Sequence, residues 1–234
     1  MTRLTEKLKQ DEPTLCISLI DNDAELARAV QEAGADGLKL HTNLAHGPTG
    51  RSLGGLEREL DRIEAVLAAV DIPVGIVPRG RAGTTREEVE RLRDLGFDFV
   101  DLYGKHTSPA ILTVDGIGNW VAATADYTAE MLSELARRPG VDVVEAAFLP
   151  VDTFGSPLSV DDLVRLQVGL RAIQGSGKPL VLPTDRKLEL HDLPALLEIG
   201  VRNYLLGYAV TGDQPKSTVA ATERFRKELD SLAG

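Results

Sequence analysis

AELARAVQEAGADGLKLH, residues 24–41, changes its period in mid-run. Apolar side chains first recur at the three-and-four spacing of a helix face; from Gly37 they alternate one by one, as on a strand. Gly34 stands at the changeover, where helices commonly end in a left-handed residue. The spacing predicts a helix over 24–33 and a strand over 37–41. REEVERLRDLG (86–96) and LPALLEIG (193–200) repeat the same unit of helix, glycine and strand.

Outward from these units, short runs rich in Val, Ile and Leu give strands over 15–20, 74–77, 99–103, 120–125, 143–149, 180–183 and 204–208. Helical spacing recurs between them over 55–70, 86–95, 129–137, 160–174, 193–199 and 217–232. Alternation of this kind builds a parallel sheet. Eight strands spaced by about 30 residues match a (β/α)8 TIM barrel of the α/β class, with residues 1–234 as one domain. An open doubly wound sheet is the competing architecture, but no G-x-G-x-x-G follows the first strand, where a dinucleotide fold places its phosphate turn.

Composition fits a globular chain. The 234 residues are 43% hydrophobic and 26% charged, and 26 basic against 36 acidic side chains leave a net charge of −10. That balance, with 4% aromatic residues, excludes the basic stripe or stacking platform of a nucleic-acid binder. Cys16 is the sole cysteine, so no intrachain disulfide forms, and no Cys/His cluster has the spacing of a zinc site. The opening MTRLTEKLKQDEP has no apolar h-region, and no run approaches the ~20 apolar residues of a membrane span. A cytoplasmic chain with no membrane or nucleic-acid partner is the expectation, and a homo-oligomer is compatible with it.

Polar residues inside the apolar strands point to chemistry. Side chains alternate between barrel interior and helix layer, so Lys39 and His41 face opposite to Leu38 and Leu40. Asp101, Tyr103 and Lys105 likewise oppose Val100 and Leu102, and Glu145 opposes Val144 and Ala146. A charge in such a place is costly unless paired, and stability alone favours Val or Ile there. A buried ion-pair lattice, Lys39 with Glu145 or Asp101, is one reading. The other is an active site, because barrel sites lie at the C-terminal strand ends where Lys39, His41, Asp101, Lys105, Asp126 and Glu145 fall. His191 reads as a surface residue, His46 and His106 as loop residues, and Asp21 or Asp23 as a helix cap.

Three long connections, TNLAHGPTGRSLGG (42–55), GKHTSPAILTVDGIGN (104–119) and PVDTFGSPLS (150–159), are candidate lids over that end. Barrels often bind phosphate with the loops after strands seven and eight. Here LVLPTDRK offers Thr184 and Arg186, the latter able to make a forked contact, and LLGYAVTGDQPKS offers Gly207, Thr211 and Gly212. GSGK (175–178) lacks the spacing of a nucleotide loop and precedes a strand.

EAGADGLKLH at strand two, IPVGIVPRG at strand three and IGVRNYLLGYAVTGDQP at strand eight give the chain a resemblance to the phosphate-binding, or ribulose-phosphate-binding, barrels. Within that group it is most similar to N-acylglucosamine-6-phosphate 2-epimerases. The resemblance implies a small phosphorylated metabolite bound near Gly207 to Gly212. The family's catalytic pair has no counterpart, since Val77-Pro78-Arg79 stands where the family commonly has a lysine, and Pro183-Thr184-Asp185-Arg186 where it carries an acidic residue and glycine.

Two reactions suit these residues. An isomerase or epimerase moves a proton next to a carbonyl, with Glu145 or Asp101 as base and Lys39 or His41 stabilising the enolate oxygen. A class I aldolase or lyase forms a Schiff base on Lys39, with Lys105 as the second amine. Neither needs a cofactor, and no carboxylate spacing marks a metal site, although Asp21, Asp101 and Glu145 could gather around Mg²⁺. A non-catalytic ligand-binding barrel is the third reading.

Overall fold

Eight short parallel strands close into a ring in the computed structural model, which describes residues 2–46, 51–79 and 83–233. They are β1 (Thr14–Ser18), β2 (Gly37–His41), β3 (Val74–Val77), β4 (Phe99–Tyr103), β5 (Gly118–Ala122), β6 (Val143–Glu145), β7 (Leu180–Pro183) and β8 (Asn203–Leu206). Each pairs with its sequence neighbours, and β1 with β8 completes the closure. The chain is a (β/α)8 TIM barrel. Its helices are α1 (Arg3–Lys7), α2 (Ala24–Glu32), α3 (Leu56–Ala69), α4 (Arg86–Asp94), α5 (Ala129–Arg137), α6 (Val160–Ile173), α7 (Leu193–Glu198), α8 (Tyr208–Thr211) and α9 (Pro215–Ala233).

Local chemistry sets the helix ends. Asp23 caps α2 by accepting from Leu26 N–H at 2.9 Å, and Thr85–Glu88 and Ser159–Asp162 form reciprocal capping boxes on α4 and α6. The three glycines expected to stop helices, Gly34, Gly96 and Gly200, have φ of +98°, +98° and +100°, a region that side chains with a Cβ resist.

Four strands stop short of their expected C-terminal ends, the first at Ser18 rather than residue 20. The fifth runs over Gly118–Ala122, which leaves Asp126 in the following loop, and the eighth stops at Leu206 so that Gly207 opens α8. The sixth ends at Glu145 because Ala147 N–H turns back to the Glu145 carbonyl at 3.0 Å, although AAFL continues the apolar run. Among the three candidate lids, residues 104–119 form no cover. They replace the barrel's missing helix between β4 and β5 with two 3-10 turns, Gly104–His106 and Ile111–Thr113, and bury Ile111, Val114 and Ile117 in the outer core. In the loop after β2, two-residue strands Ala45–His46 and Arg51–Ser52 pair antiparallel, while 47–50 lie outside the described residues, as does Gly80 after β3.

Two apolar layers support the barrel. The larger lies between sheet and helices; the smaller fills the lower interior with Cys16, Phe99, Trp120, Val143, Val181 and Leu205, closed from below by Leu4 of α1 and Leu8 just after it. Phe99 and Trp120 stack with ring centroids 3.9 Å apart. Gly75 makes room for them, since a Cβ there would fall 2.2 Å from the Phe99 ring. Asn203 fastens the plug, donating from Nδ2 to the Leu8 and Leu180 carbonyls at 3.1 Å each. This apolar floor contrasts with the upper interior, where the charged side chains lie.

Candidate active site

Three strands carry the charged centre. Lys39 on β2, Asp101 on β4 and Glu145 on β6 point into the upper barrel, as their alternation predicted, and are 7%, 3% and 5% exposed. Lys39 Nζ donates to Asp101 Oδ2 at 2.5 Å and to Glu145 Oε2 at 3.0 Å. The expected pairing therefore involves both acids at once. An ammonium carries three protons, so two fixed contacts leave one for another oxygen.

The electrostatics separate the members. Burial opposes the charge on Lys39, but Asp101 and Glu145 outweigh it and raise the lysine's pKa, so the ammonium persists through the neutral range. Glu145 is driven well above the usual carboxylate range by burial and then by the charge of Asp101, with Lys39 pulling the other way. Tyr103, next inward-facing residue on β4, is raised by burial and by Glu145. Asp185, two residues beyond β7, is raised by burial against the pull of Lys39 and Arg186. Tyr103 and Asp185 were absent from the sequence-predicted set; strand parity and proximity to a strand end were their only signals.

This arrangement has a stability signature. The folded state holds the Glu145 proton more tightly than the unfolded chain does, so its contribution is full below the unfolded value of about 4.3 and is lost as pH rises through the raised folded value. Glu145→Gln removes that titration. Thermal melts from pH 4.5 to 8 should show the wild type losing stability relative to Glu145→Gln as pH rises; parallel curves would contradict the assignment.

The other expected site residues divide. His41 lies at the top of β2, with Nε2 3.2 Å from Ser18 Oγ on β1. Its carbonyl accepts from Asn22 Nδ2 at 3.0 Å, and the same amide reaches Glu59 Oε2 at 3.3 Å, which ties β2 to α3. Lys105 is not drawn into the centre. It is exposed in the 3-10 turn after β4 and pairs at 2.7 Å with Asp126, whose carboxyl Lys105 and Thr124 hold down at about 2. Cys16 is sealed in the floor, where burial raises its thiol's pKa.

Among the anion-site residues, Arg186 is 2% exposed and committed elsewhere. Its Nη2 and Nε donate to Asp162 at 3.0 and 3.1 Å, and its Nη1 donates to the Pro150 and Thr153 carbonyls at 3.2 and 3.1 Å. The forked contact expected for phosphate is filled by a carboxylate, so Arg186 instead pins the loop after β6 to α6. Thr184 Oγ1 accepts from Gly207 N–H at 2.7 Å, joining the ends of β7 and β8. Thr211 is buried and donates to the Gly212 carbonyl at 3.1 Å, and Gly212 takes φ +68° at the end of α8. Lys39, Lys105 and Arg186 are thus each matched by acids. Among the described residues, no three His, Cys, Asp or Glu side chains are grouped to hold a metal ion, and no helix is long and apolar enough to cross a membrane.

No family model matches the chain, and no curated protein matches its sequence. Solved structures match its fold. An HpcH/HpaI aldolase from Desulfitobacterium hafniense superposes with a TM-score of 0.64 at 14% identity, over 88% of this chain and 91% of that one. A phosphoribosyl anthranilate isomerase from Thermus thermophilus gives 0.64 at 14% over 94% and 99%. A thiamine phosphate pyrophosphorylase from Pyrococcus furiosus gives 0.64 at 17% over 97% and 100%. Identities this low establish the shared barrel, while the reaction has to be argued from the site.

Proposed function

We propose that the chain is an enzyme that moves a proton next to a carbonyl of a small metabolite, an isomerase or epimerase, with Glu145 as the proton-transferring group and Lys39 as the electrophile. The observation that carries the reading is Lys39 Nζ held 2.5 Å from Asp101 and 3.0 Å from Glu145 at the C-terminal end of the barrel. Glu145 as carboxylate accepts the proton from carbon; the C–H electron pair forms the enolate C=C, and the carbonyl oxygen takes the negative charge beside the Lys39 ammonium. Return of the proton from the Glu145 acid to the same carbon or its neighbour regenerates the carboxylate. A base raised toward neutrality suits this work. A fixed, buried ammonium stabilises the enolate more than one in bulk water would. Asp101, the nearer acid, keeps Lys39 compensated while Glu145 changes charge.

A phosphorylated sugar is the substrate we favour, on the resemblance of the strand-eight segment and its position before α9. The test is incubation in D₂O with small keto and aldo sugars, free and phosphorylated, followed by mass spectrometry. Deuterium incorporation without cleavage, lost in Glu145→Gln, is the expected result. Exchange confined to unphosphorylated compounds would refute the phosphate part alone; absence of exchange with every compound would refute the reaction.

A further inference from the structure

We propose that helix α6 is the contact face of a symmetric homodimer, lying antiparallel against α6 of a second copy. Among the described residues, six large apolar side chains are strongly exposed, and five belong to one sector of the barrel: Met131 on α5, Phe154 in the loop before α6, and Val160, Val164 and Val168 on α6 itself. The sixth, Leu232, lies near the end of α9. Single exposed apolar residues are ordinary on any protein; their concentration in one sector marks a contact surface.

The stripe is specific in its spacing. Val160, Val164 and Val168 fall at i, i+4 and i+8, one above the other along about 12 Å of helix, and are 77%, 52% and 44% exposed. The opposite face is filled by Leu166, Gly169 and Ile173 against the barrel. Local stability does not select these valines, because a β-branched side chain is a poor choice for a solvent-facing helix position.

Charge selects a second copy as the occupant. A twofold axis beside Leu166 brings Val164 against the partner's Val168, and Asp161 against the partner's Arg171, because each pair sums to the same position number. Arg171 is exposed and forms no ion pair among the described residues, so this contact supplies it with an acid; Asp161 already holds Arg165 at 2.8 Å. The exposed charges of α6 are Asp161, Arg165 and Arg171, close to neutral in a chain of net charge −10. Two copies meeting on this face avoid bringing together the acidic excess of the rest of the chain. A stable dimer buries about 1,200–2,000 Å² in total, more than one stripe supplies, which gives Met131 and Phe154 their place at the margin.

Sedimentation and light scattering of the full chain across a concentration series test the proposal. The wild type should reach twice the monomer mass. Val164→Glu, at an exposed position that leaves folding intact by circular dichroism, should weaken association roughly a hundredfold. Asp161→Arg and Arg171→Asp should each weaken it, and the double swap should restore it. A wild type monomeric throughout would overturn the proposal and leave the stripe to a different partner. A dimer unaffected by Val164→Glu would overturn it by placing the interface elsewhere.

Discussion

Asp162→Ala should lower the melting temperature by roughly 10 °C, from a loss of about 3–5 kcal/mol, the usual cost of leaving one member of a buried ion pair alone. Burial pushes the Asp162 carboxyl up, but Arg186 and Ser159 outweigh it and hold it below the ordinary carboxylate range. Removing it strands a guanidinium that is 2% exposed. It also deletes the capping box, since Asp162 Oδ2 accepts from the Ser159 backbone at 3.0 Å and from its hydroxyl at 2.8 Å. Calorimetry at pH 7 gives the size, and the double variant Asp162→Leu/Arg186→Met gives the cause. With both charges gone, no unpaired ion is buried, and the double should be less destabilised than Asp162→Ala. Equal or greater loss would mean that Arg186 serves through its carbonyl contacts rather than its ion pair.

The same pair shows where sequence reading ends. Arg186 was legible as a forked donor after β7, but nothing in LVLPTDRK tells which oxygens occupy the fork; that depends on how the loop after β6 folds over α6. Lys39, Asp101 and Glu145 were legible because alternation along a strand is a property of the backbone, and a charge inside an apolar run identifies itself. Strand ends were less so. AAFL after Glu145 has the composition of a strand, yet one backbone bond from Ala147 to Glu145 turns it away. Residues 104–119 contain Gly and Pro in the proportion of a mobile cover, while Ile111, Val114 and Ile117 lie at spacings of three that pack onto the sheet in place of a helix. The plug of Leu4 and Leu8 comes from a five-residue helix and the residue after it, too short a run for periodicity to show.

Lys39→Met should abolish deuterium exchange, by a factor of about 10³ or more, because it removes the ammonium that donates to Glu145 and with it the stabilisation of the enolate oxygen. The substitution keeps the length and apolar stem of the side chain, so packing changes little. What changes is the protonation of Glu145, which it leaves buried facing Asp101. With the ammonium gone, nothing offsets the burial and the neighbouring acid that already raise Glu145, so its pKa rises further. Lys39→Met should therefore be near wild-type stability at pH 5 and fall progressively behind it toward pH 8, the sign expected when the folded state binds the extra proton. Lys39 does not itself titrate in that window, since its pKa is raised from an already high value. Borohydride with a carbonyl substrate discriminates the lyase reading in the same preparation. A Schiff base needs a neutral amine, which the two acids suppress, so no adduct should form; a stable adduct on wild type that disappears in Lys39→Met would replace proton transfer with amine catalysis.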